Sequence, residues 1–295
     1  MPHSVEQQLP DTYPILSLIN YKLEAFEDPY SNRQKHLTGI KELDSFGFGT
    51  NELIVVAGRP GIGKTNWFCN LAMGFSTKTP TAILSMDQTA KNIANRSIAL
   101  MNTISLNTIE SEDFTSEQVK TIRKSQDKFK YRKLYINETQ FNDINELSQY
   151  LKSSIANKGI QVFFIDYMQK LIPSLNNLQD NEANIATIMR QLRIICKQHN
   201  VCIFLAVQIN KKQAPSNTEI IKAFDSLPAI ETEADKLLFM LDREPLAVNN
   251  SPIEMQIDLK MVKNRSGVCV TTTISADILK KNTSDDDDFV APWEV

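Results

Sequence analysis

The chain has 295 residues, of which 42% are hydrophobic and 23% charged; this indicates a globular protein with one large or two smaller domains and excludes a low-complexity chain. The formal net charge of −3 gives no overall basic signature, so any nucleic-acid contact must come from a local patch. No apolar run is long enough to cross a membrane, and we expect no signal peptide, no membrane partner and a cytoplasmic location. The four cysteines stand in apolar contexts without C-x-x-C spacing, which predicts buried free thiols.

Apolar residues recur at helical spacing from residue 13 to residue 27, and Pro29 ends the pattern. A helix of this kind must bury its apolar face, either on its own domain or on a neighbouring subunit. At the other end, residues 281–295 contain a run of aspartates and two aromatic residues, which predicts an acidic, disordered tail. The predicted organisation is an N-terminal segment at 1–35, a core domain at 36–280 and the tail.

The first apolar strand of the core leads directly into a glycine-rich loop. The segment Gly58-Arg59-Pro60-Gly61-Ile62-Gly63-Lys64-Thr65, followed by Asn66, fits the pattern G-x-x-x-x-G-K-T between a strand and a helix. The glycines allow successive backbone N–H groups to surround an anion at the positive end of the helix. Lys64 would reach the β- and γ-phosphates, and the Thr65 hydroxyl would hold Mg²⁺. The sequence therefore predicts a nucleoside triphosphate site at 58–66; a chance glycine turn before a helix is the alternative.

Helix and strand patterns alternate through the rest of the core. The predicted helices are 64–75, 89–102, 115–129, 143–157 and 183–199. The predicted strands are 53–57, 81–86, 133–136, 161–165 and 201–207, followed by 236–241, 254–262 and 268–274. Strands that are apolar on both faces and separated by helices predict an α/β fold with a mostly parallel central sheet flanked by helices. The last three strands are expected to complete that sheet in antiparallel fashion.

Polar residues at strand ends extend the predicted site. Asp166 follows strand 161–165 and is predicted to support Mg²⁺, with helix capping as the alternative. Gln208 follows strand 201–207, where it either senses the γ-phosphate or caps the next segment. Lys263 and Arg265 lie on a turn between two strands. They are either solvated residues at the tip of a hairpin or cations supplied to a neighbour's triphosphate, where they would stabilise transition-state charge.

The order of these motifs resembles the C-terminal motor domain of DnaB-type replicative helicases, which are RecA-like ring ATPases. The matching residues are Thr38, Gly39, Leu43, Asp44, the loop from Arg59 to Thr65, Ile165, Asp166, Tyr167, Gln169, Gln208, Ile230, Glu231, Ala234, Asp235, Lys263, Arg265 and Gly267. The likeness covers about residues 13–275, and helix 14–27 is similar to the family's linker helix. Only about a dozen residues precede that helix, so no counterpart of the family's N-terminal collar domain is expected.

The resemblance implies a RecA-like P-loop ATPase that uses ATP and Mg²⁺ and moves on single-stranded DNA as a homo-hexameric ring. The linker helix would dock on the neighbouring subunit, and a helicase loader, a primase or another replication protein would be a further partner. The catalytic residues it implies are Asp87, Lys64, Gln208, Lys263 and Arg265. The local cations left for a DNA path are Lys211, Lys212 and Lys222, with plain surface lysines as the alternative.

Three departures from the family's pattern concern activity. The family's activating glutamate falls on Asp87, whose side chain is shorter by one methylene, about 1.5 Å of reach. The family's DNA-gripping Arg-Glu-Ser-Gly falls on Asp225-Ser226-Leu227-Pro228, where an anion replaces a cation and proline removes a backbone donor. The loop 174–184 carries no Lys or Arg. The nucleotide side of the motor is therefore better preserved than its DNA side.

Two functions from different classes fit these observations. The first is an ATP-dependent DNA helicase of the DnaB-like type, acting as a ring in replication. The second is a helicase-like ATPase that regulates or assembles with another machine and has weak or no unwinding activity of its own. A recombinase- or clock-type RecA-like ATPase is a third alternative, against which the Ile165-Asp166-Tyr167 motif and the Lys263–Arg265 pair argue.

Overall fold

The structure is a computed structural model that describes residues 46–172, 182–209, 216–225, 227–242 and 256–275, with Ile15 and Asp44. The chain divides into two units, 1–35 and 36–295, and the sheet with its helices belongs to the second. The acidic tail, Lys211, Lys212 and all of the predicted linker helix except Ile15 lie outside the described residues. These, and the predicted domain boundaries, remain predictions.

The described residues form eight strands and eight α-helices. The strands are β1 (Leu53–Gly58), β2 (Thr81–Ser85), β3 (Leu134–Asn137), β4 (Val162–Asp166), β5 (Cys202–Gln208), β6 (Lys236–Asp242), β7 (Gln256–Asn264) and β8 (Thr271–Ser275). The helices are α1 (Lys64–Phe75), α2 (Ala90–Asn102), α3 (Leu106–Ser111), α4 (Ser116–Lys130), α5 (Ile144–Lys158), α6 (Glu182–His199), α7 (Asn217–Asp225) and α8 (Pro228–Glu233). A 3₁₀ turn, Met168–Leu171, follows β4.

The strands form one sheet in the order β3-β2-β4-β5-β1-β6-β7-β8. Every pair from β3 to β6 is parallel, and only β7 and β8 run antiparallel to their neighbours. The predicted α/β fold with a mostly parallel central sheet is confirmed. The last three strands, β6, β7 and β8, pair antiparallel with one another as expected, and β6 also joins the parallel part of the sheet beside β1.

The sheet is covered on both faces, as its apolar strands predict. Successive residues of β1 point to opposite faces: Leu53 and Val55 pack into one apolar core, whereas Ile54 and Val56 pack into the other. The first core includes residues of α5 and α6, and the second includes residues of α1 and α2. In the second, the rings of Phe164 and Phe204 stack with their centroids 4.6 Å apart. The central strands are therefore packed on both faces, and this packing fixes the positions of their carboxyl ends relative to one another.

Local signals place several elements. Thr115 and Gln118 form the capping box that starts α4, as their spacing predicts. Helices α3, α7 and α8 are absent from the sequence prediction, because six to nine residues are too few to establish a helical period.

Three of the four cysteines are buried free thiols, but Cys269 is exposed, so the prediction is wrong there. In the part of the chain that the structure describes, no helix has both the length and the apolar character needed to cross a membrane.

A buried ion pair joins the start of β1 to the start of β6. The Lys236 ammonium is fully buried and donates to both carboxylate oxygens of Glu52, and it lies 3.2 Å from the Ser266 hydroxyl. Glu52→Ala is expected to lower the free energy of unfolding by about 3 kcal/mol, because it leaves a buried ammonium without its carboxylate. Urea unfolding measures the difference.

The double variant Glu52→Ala/Lys236→Met is expected to recover most of that loss, because it also removes the unpaired charge. Glu110→Ala, on the exposed face of α3, is the matched control and should unfold like the natural chain. A Glu52→Ala variant as stable as this control would contradict the assignment of the pair.

Candidate nucleotide site

The predicted nucleotide residues meet at the carboxyl ends of neighbouring parallel strands, where α/β sheets bind ligands. Gly58 at the end of β1 lies opposite Gln208 at the end of β5. Asp166 at the end of β4 lies opposite Ser85 at the end of β2, and the Met86 amide donates to its carbonyl at 2.9 Å. Asp87 follows one residue later. One edge of the sheet thus brings together the loop, Asp166, Gln208 and Asp87.

The three glycines of the loop serve two different purposes. Gly61 and Gly63 have φ of +79° and +101°, a left-handed backbone that favours glycine, and nothing lies within 4 Å of where their Cβ atoms would stand. Gly58 instead allows close packing: a Cβ there would lie 3.0 Å from the Met240 carbonyl oxygen and 3.1 Å from Ile62. The loop therefore combines an open, curled backbone with a tight junction to β6, as an anion nest requires.

Lys64 is folded back onto the loop. Its ammonium donates to the carbonyl oxygens of Gly58 at 2.8 Å and Arg59 at 2.7 Å. Burial lowers the pKa of Lys64 to about 8, and the negative charge of Asp166 opposes that shift. Arg59 forms an ion pair with Asp242 at 3.0 Å, which fixes the loop against the end of β6. The loop's cation is thus held, partly dehydrated, at the place where a phosphate would bind.

Thr65 and Asp166 are in direct contact. The Thr65 hydroxyl donates to Asp166 Oδ2 at 2.6 Å. Burial raises the pKa of Asp166, and this hydrogen bond and the charge of Lys64 oppose the shift. One hydroxyl beside one carboxylate, at a phosphate loop, fits Mg²⁺, which takes few protein oxygens together with substrate phosphates and water. Among the described residues, no group of three or more His, Cys, Asp or Glu side chains is placed to hold a metal ion.

Asp87 and Gln208 each meet the 3₁₀ turn that follows β4. Asp87 Oδ1 lies 2.8 Å from the Lys170 ammonium. The Gln169 side chain bonds the backbone of Gln208 twice, donating to its carbonyl at 2.7 Å and accepting from its amide at 3.2 Å. The turn after Asp166 is therefore tied to the ends of both β2 and β5.

Two cations near the site are absent from the sequence prediction. Arg96 on α2 donates to Asn66 at 2.6 Å and to Gln88 at 3.1 Å, which joins the first turn of α1 to the segment carrying Asp87. Lys170 contacts Asp87 itself. The sequence gives only a weak indication for Arg96: it is a cation on a predicted helix, eight residues after Gln88. Lys170 carried none, because its partner is brought to it only by the pairing of β2 with β4.

Lys263 and Arg265 lie at the opposite edge of the sheet from the loop. Lys263 pairs with Leu237 near the start of β6, whereas Gly58 pairs with Met240 three residues farther on, about 10 Å along the strand. The Lys263 ammonium donates to the Glu231 carbonyl, and the Arg265 guanidinium donates to the Thr232 carbonyl. Burial lowers the pKa of Lys263, with Arg265 as the next cause. The two cations are anchored rather than freely solvated, and they lie at the opposite end of the strands from their own loop.

Of the three candidate DNA residues, the structure describes one. Lys222 is exposed on α7. In the segment 225–228, α7 ends at Asp225, Leu227 is buried, and Pro228 opens α8. The Ala229 amide donates to Glu182 at 2.9 Å, which attaches that junction to the start of α6. The junction at Leu227 and Pro228, where α8 begins, is thus packed against the rest of the domain.

Comparison with known proteins gives the family. Residues 37–282 match the model of the DnaB-like helicase C terminal domain. The chain belongs to this family. A replicative DNA helicase DnaB of Helicobacter pylori (strain ATCC 700392 / 26695) is 25% identical over 209 residues, which are 69% of this chain and 43% of that protein. Replicative DNA helicase DnaC of Bacillus subtilis (strain 168) is 24% identical over 254 residues, 83% of this chain and 56% of that protein. The chain spans about half the length of these relatives.

Solved structures show the same fold. A solved ATPase domain superposes with a TM-score of 0.75 at 20% identity, covering 89% of this chain and 95% of its own. A DnaB-like replicative helicase, described with its interactions with primase, superposes with a TM-score of 0.73 at 20% identity, covering 89% of this chain and 66% of its own. The fold is therefore the RecA-like α/β fold of DnaB-like ATPase domains, as the resemblance implies.

Proposed function

We propose that this member of the DnaB-like helicase family is an ATP-driven ring motor that moves on single-stranded DNA in replication. ATP would bind at residues 58–66, with Lys64 turning from the loop carbonyls to the phosphates and Thr65 with Asp166 holding Mg²⁺. When bound, Mg²⁺ would neutralise charge on the phosphate oxygens. Asp87 would take a proton from the attacking water, and Gln208 would sense the γ-phosphate and pass its state to the turn through Gln169.

One observation carries the ring: the nucleotide loop and the pair Lys263–Arg265 stand at opposite edges of one sheet. A cation anchored on Thr232 does not reach its own loop, but it can reach the loop of a copy stacked head to tail. Head-to-tail contacts use two different surfaces and close into rings when the rotation fits. The proposal is therefore a homo-hexamer in which Lys263 and Arg265 act in trans on the neighbour's ATP.

The N-terminal helix and the DNA path complete the proposal. Helix 14–27 would dock on the neighbouring subunit, and Lys211, Lys212 and Lys222 would contact the DNA backbone. A helicase loader, a primase or another replication protein is the proposed further partner, and the cytoplasm, where free thiols persist, is the proposed location. The solved relative that is described with primase supports this partner class.

A regulatory or assembly ATPase with weak or no unwinding is the second candidate. It is favoured by the short acid Asp87, which is paired with Lys170, and by the helix junction at 225–228. At the first position, a DNA-coupled motor of this family would need a longer acidic side chain to reach the attacking water. At the second, it would need a positive charge to hold DNA.

Sedimentation with a slowly hydrolysed ATP analogue tests the ring. The full chain is expected to sediment as a hexamer, and a chain without residues 1–28 is expected to lose assembly, because the docking helix is gone. Removal of residues 285–295 is the matched truncation and should leave the hexamer intact. A full chain that stays monomeric with nucleotide bound would contradict the ring, and a shortened chain that still assembles would contradict the docking role of the helix.

A further inference from the structure

An ion pair stands beside the predicted water-activating acid. The Lys170 ammonium lies 2.8 Å from Asp87 Oδ1, and the two side chains are 40% and 48% exposed. Exposed pairs of this kind contribute little to stability, so a structural role alone does not account for this one. The pair lies at the strand edge that carries Thr65 and Asp166, where its effect on chemistry can be far larger.

Lys170 is presented by a fixed turn. Its neighbours Met168 and Leu171 are buried, and Gln169 bonds the backbone of Gln208 in both directions. Because β2 and β4 pair in register up to Ser85 and Asp166, the turn and Asp87 leave the sheet side by side. A lysine on such a support can hold its partner in one direction, unlike a lysine at the end of a loose loop.

The charge of Lys170 persists under working conditions. The hydrogen bond that Lys170 donates to Asp87 raises the pKa of Lys170, so the ammonium is protonated throughout the neutral range. Asp87 is surrounded by few fixed partners: among the described residues, the ion pair with Lys170 is the one ion pair it forms. The direction of its carboxylate therefore depends on Lys170.

We propose that Lys170 is a positioning residue for ATP hydrolysis, which turns the short carboxylate of Asp87 toward the attacking water. The inference rests on the proposed ATPase function. The ion pair occupies Oδ1 and leaves Oδ2 to act as the base. In the step concerned, the water oxygen forms a bond to the γ-phosphorus while the bond from that phosphorus to the β–γ bridging oxygen breaks. The water proton goes to Asp87 Oδ2, and ADP leaves with the bond's electron pair. An acid misplaced by about 1 Å can lose about a hundredfold in rate.

The test compares Lys170→Met with Lys170→Arg in the full chain, with Lys152→Met, an exposed lysine of α5, as the matched control. Lys170→Met is expected to lower kcat by about tenfold to a hundredfold while KM for MgATP and the affinity for a fluorescent ATP analogue change less than about twofold. Lys170→Arg keeps the cation and should stay within about threefold of the natural chain. Lys152→Met should match the natural chain, and thermal melting should show all variants folded.

Action through Asp87 is tested in an Asp87→Asn background by single-turnover hydrolysis. There the residual rate is expected to change less than about twofold on adding Lys170→Met, because the base that Lys170 positions is absent. An equal fall in both backgrounds would overturn the positioning role. An unchanged or higher rate of hydrolysis by Lys170→Met in the natural background would overturn it too. That result would show that the ion pair has no effect on the rate or that it restrains Asp87 in an inactive position. If the natural chain does not hydrolyse ATP above Lys64→Ala, the proposed function fails and this inference fails with it.

Discussion

Lys64→Ala is expected to lower ATP hydrolysis by about a thousandfold, because it removes the cation placed to meet the β- and γ-phosphates in the transition state. The ammonium lies partly dehydrated against the loop, donating to the carbonyls of Gly58 and Arg59, and it would turn from them to the phosphates. Steady-state release of phosphate with MgATP measures the effect.

The control for Lys64→Ala is Lys78→Ala, an exposed lysine just after α1, which should hydrolyse ATP like the natural chain. Thermal melting separates a catalytic loss from unfolding, since Lys64→Ala also removes one of the hydrogen-bond donors to each of two loop carbonyls. A folded Lys64→Ala variant that hydrolyses ATP within about threefold of the control would contradict a phosphate role for the loop.

Arg265→Ala is expected to lower hydrolysis by about a thousandfold although Arg265 lies at the far edge of its own sheet, because the residue is proposed to serve the neighbour's ATP. Lys260→Ala, an exposed lysine on the same hairpin, is the matched control and should retain activity. Thermal melting again checks folding, since the guanidinium also binds the Thr232 carbonyl.

Mixing distinguishes action in trans from a local defect. When inactive Arg265→Ala and inactive Lys64→Ala chains are mixed in equal amounts and allowed to re-assemble, about one interface in four joins an intact loop to an intact Arg265. We expect hydrolysis to recover toward that fraction. A mixture as inactive as its two components, in rings shown to contain both chains, would contradict the trans arrangement.

The sequence predicts most of the nucleotide edge because its signals are local. The loop 58–66 is one contiguous motif, and Asp166 and Gln208 each follow an apolar strand, so the ends of parallel strands bring them together without further information. The contact between Thr65 and Asp166 follows from that same order of strands. The alternation of helices and strands likewise predicts the α/β fold.

What the sequence does not predict depends on contacts between distant segments. Lys170 finds Asp87 only because β2 pairs with β4, and β6 joins the sheet beside β1 only after α7 and α8, which are too short to read from a period. Because its neighbours in the sequence are apolar, Cys269 is predicted to be buried, but it lies in the exposed stretch before β8. The burial of Leu227 where α8 begins is visible in the sequence only as a departure from the pattern of the family that the chain resembles.

Hydrolysis of ATP by the full chain, measured with and without single-stranded DNA and with Lys64→Ala as the blank, tests the account most directly. Hydrolysis is expected to exceed the blank and to rise by about threefold or more with DNA, because DNA in the ring would align each loop with the neighbour's Lys263 and Arg265. Hydrolysis that is indifferent to DNA would contradict a DNA-driven motor and favour the regulatory ATPase. Nucleotide binding without hydrolysis above the blank would contradict the role of Asp87 as the water-activating acid.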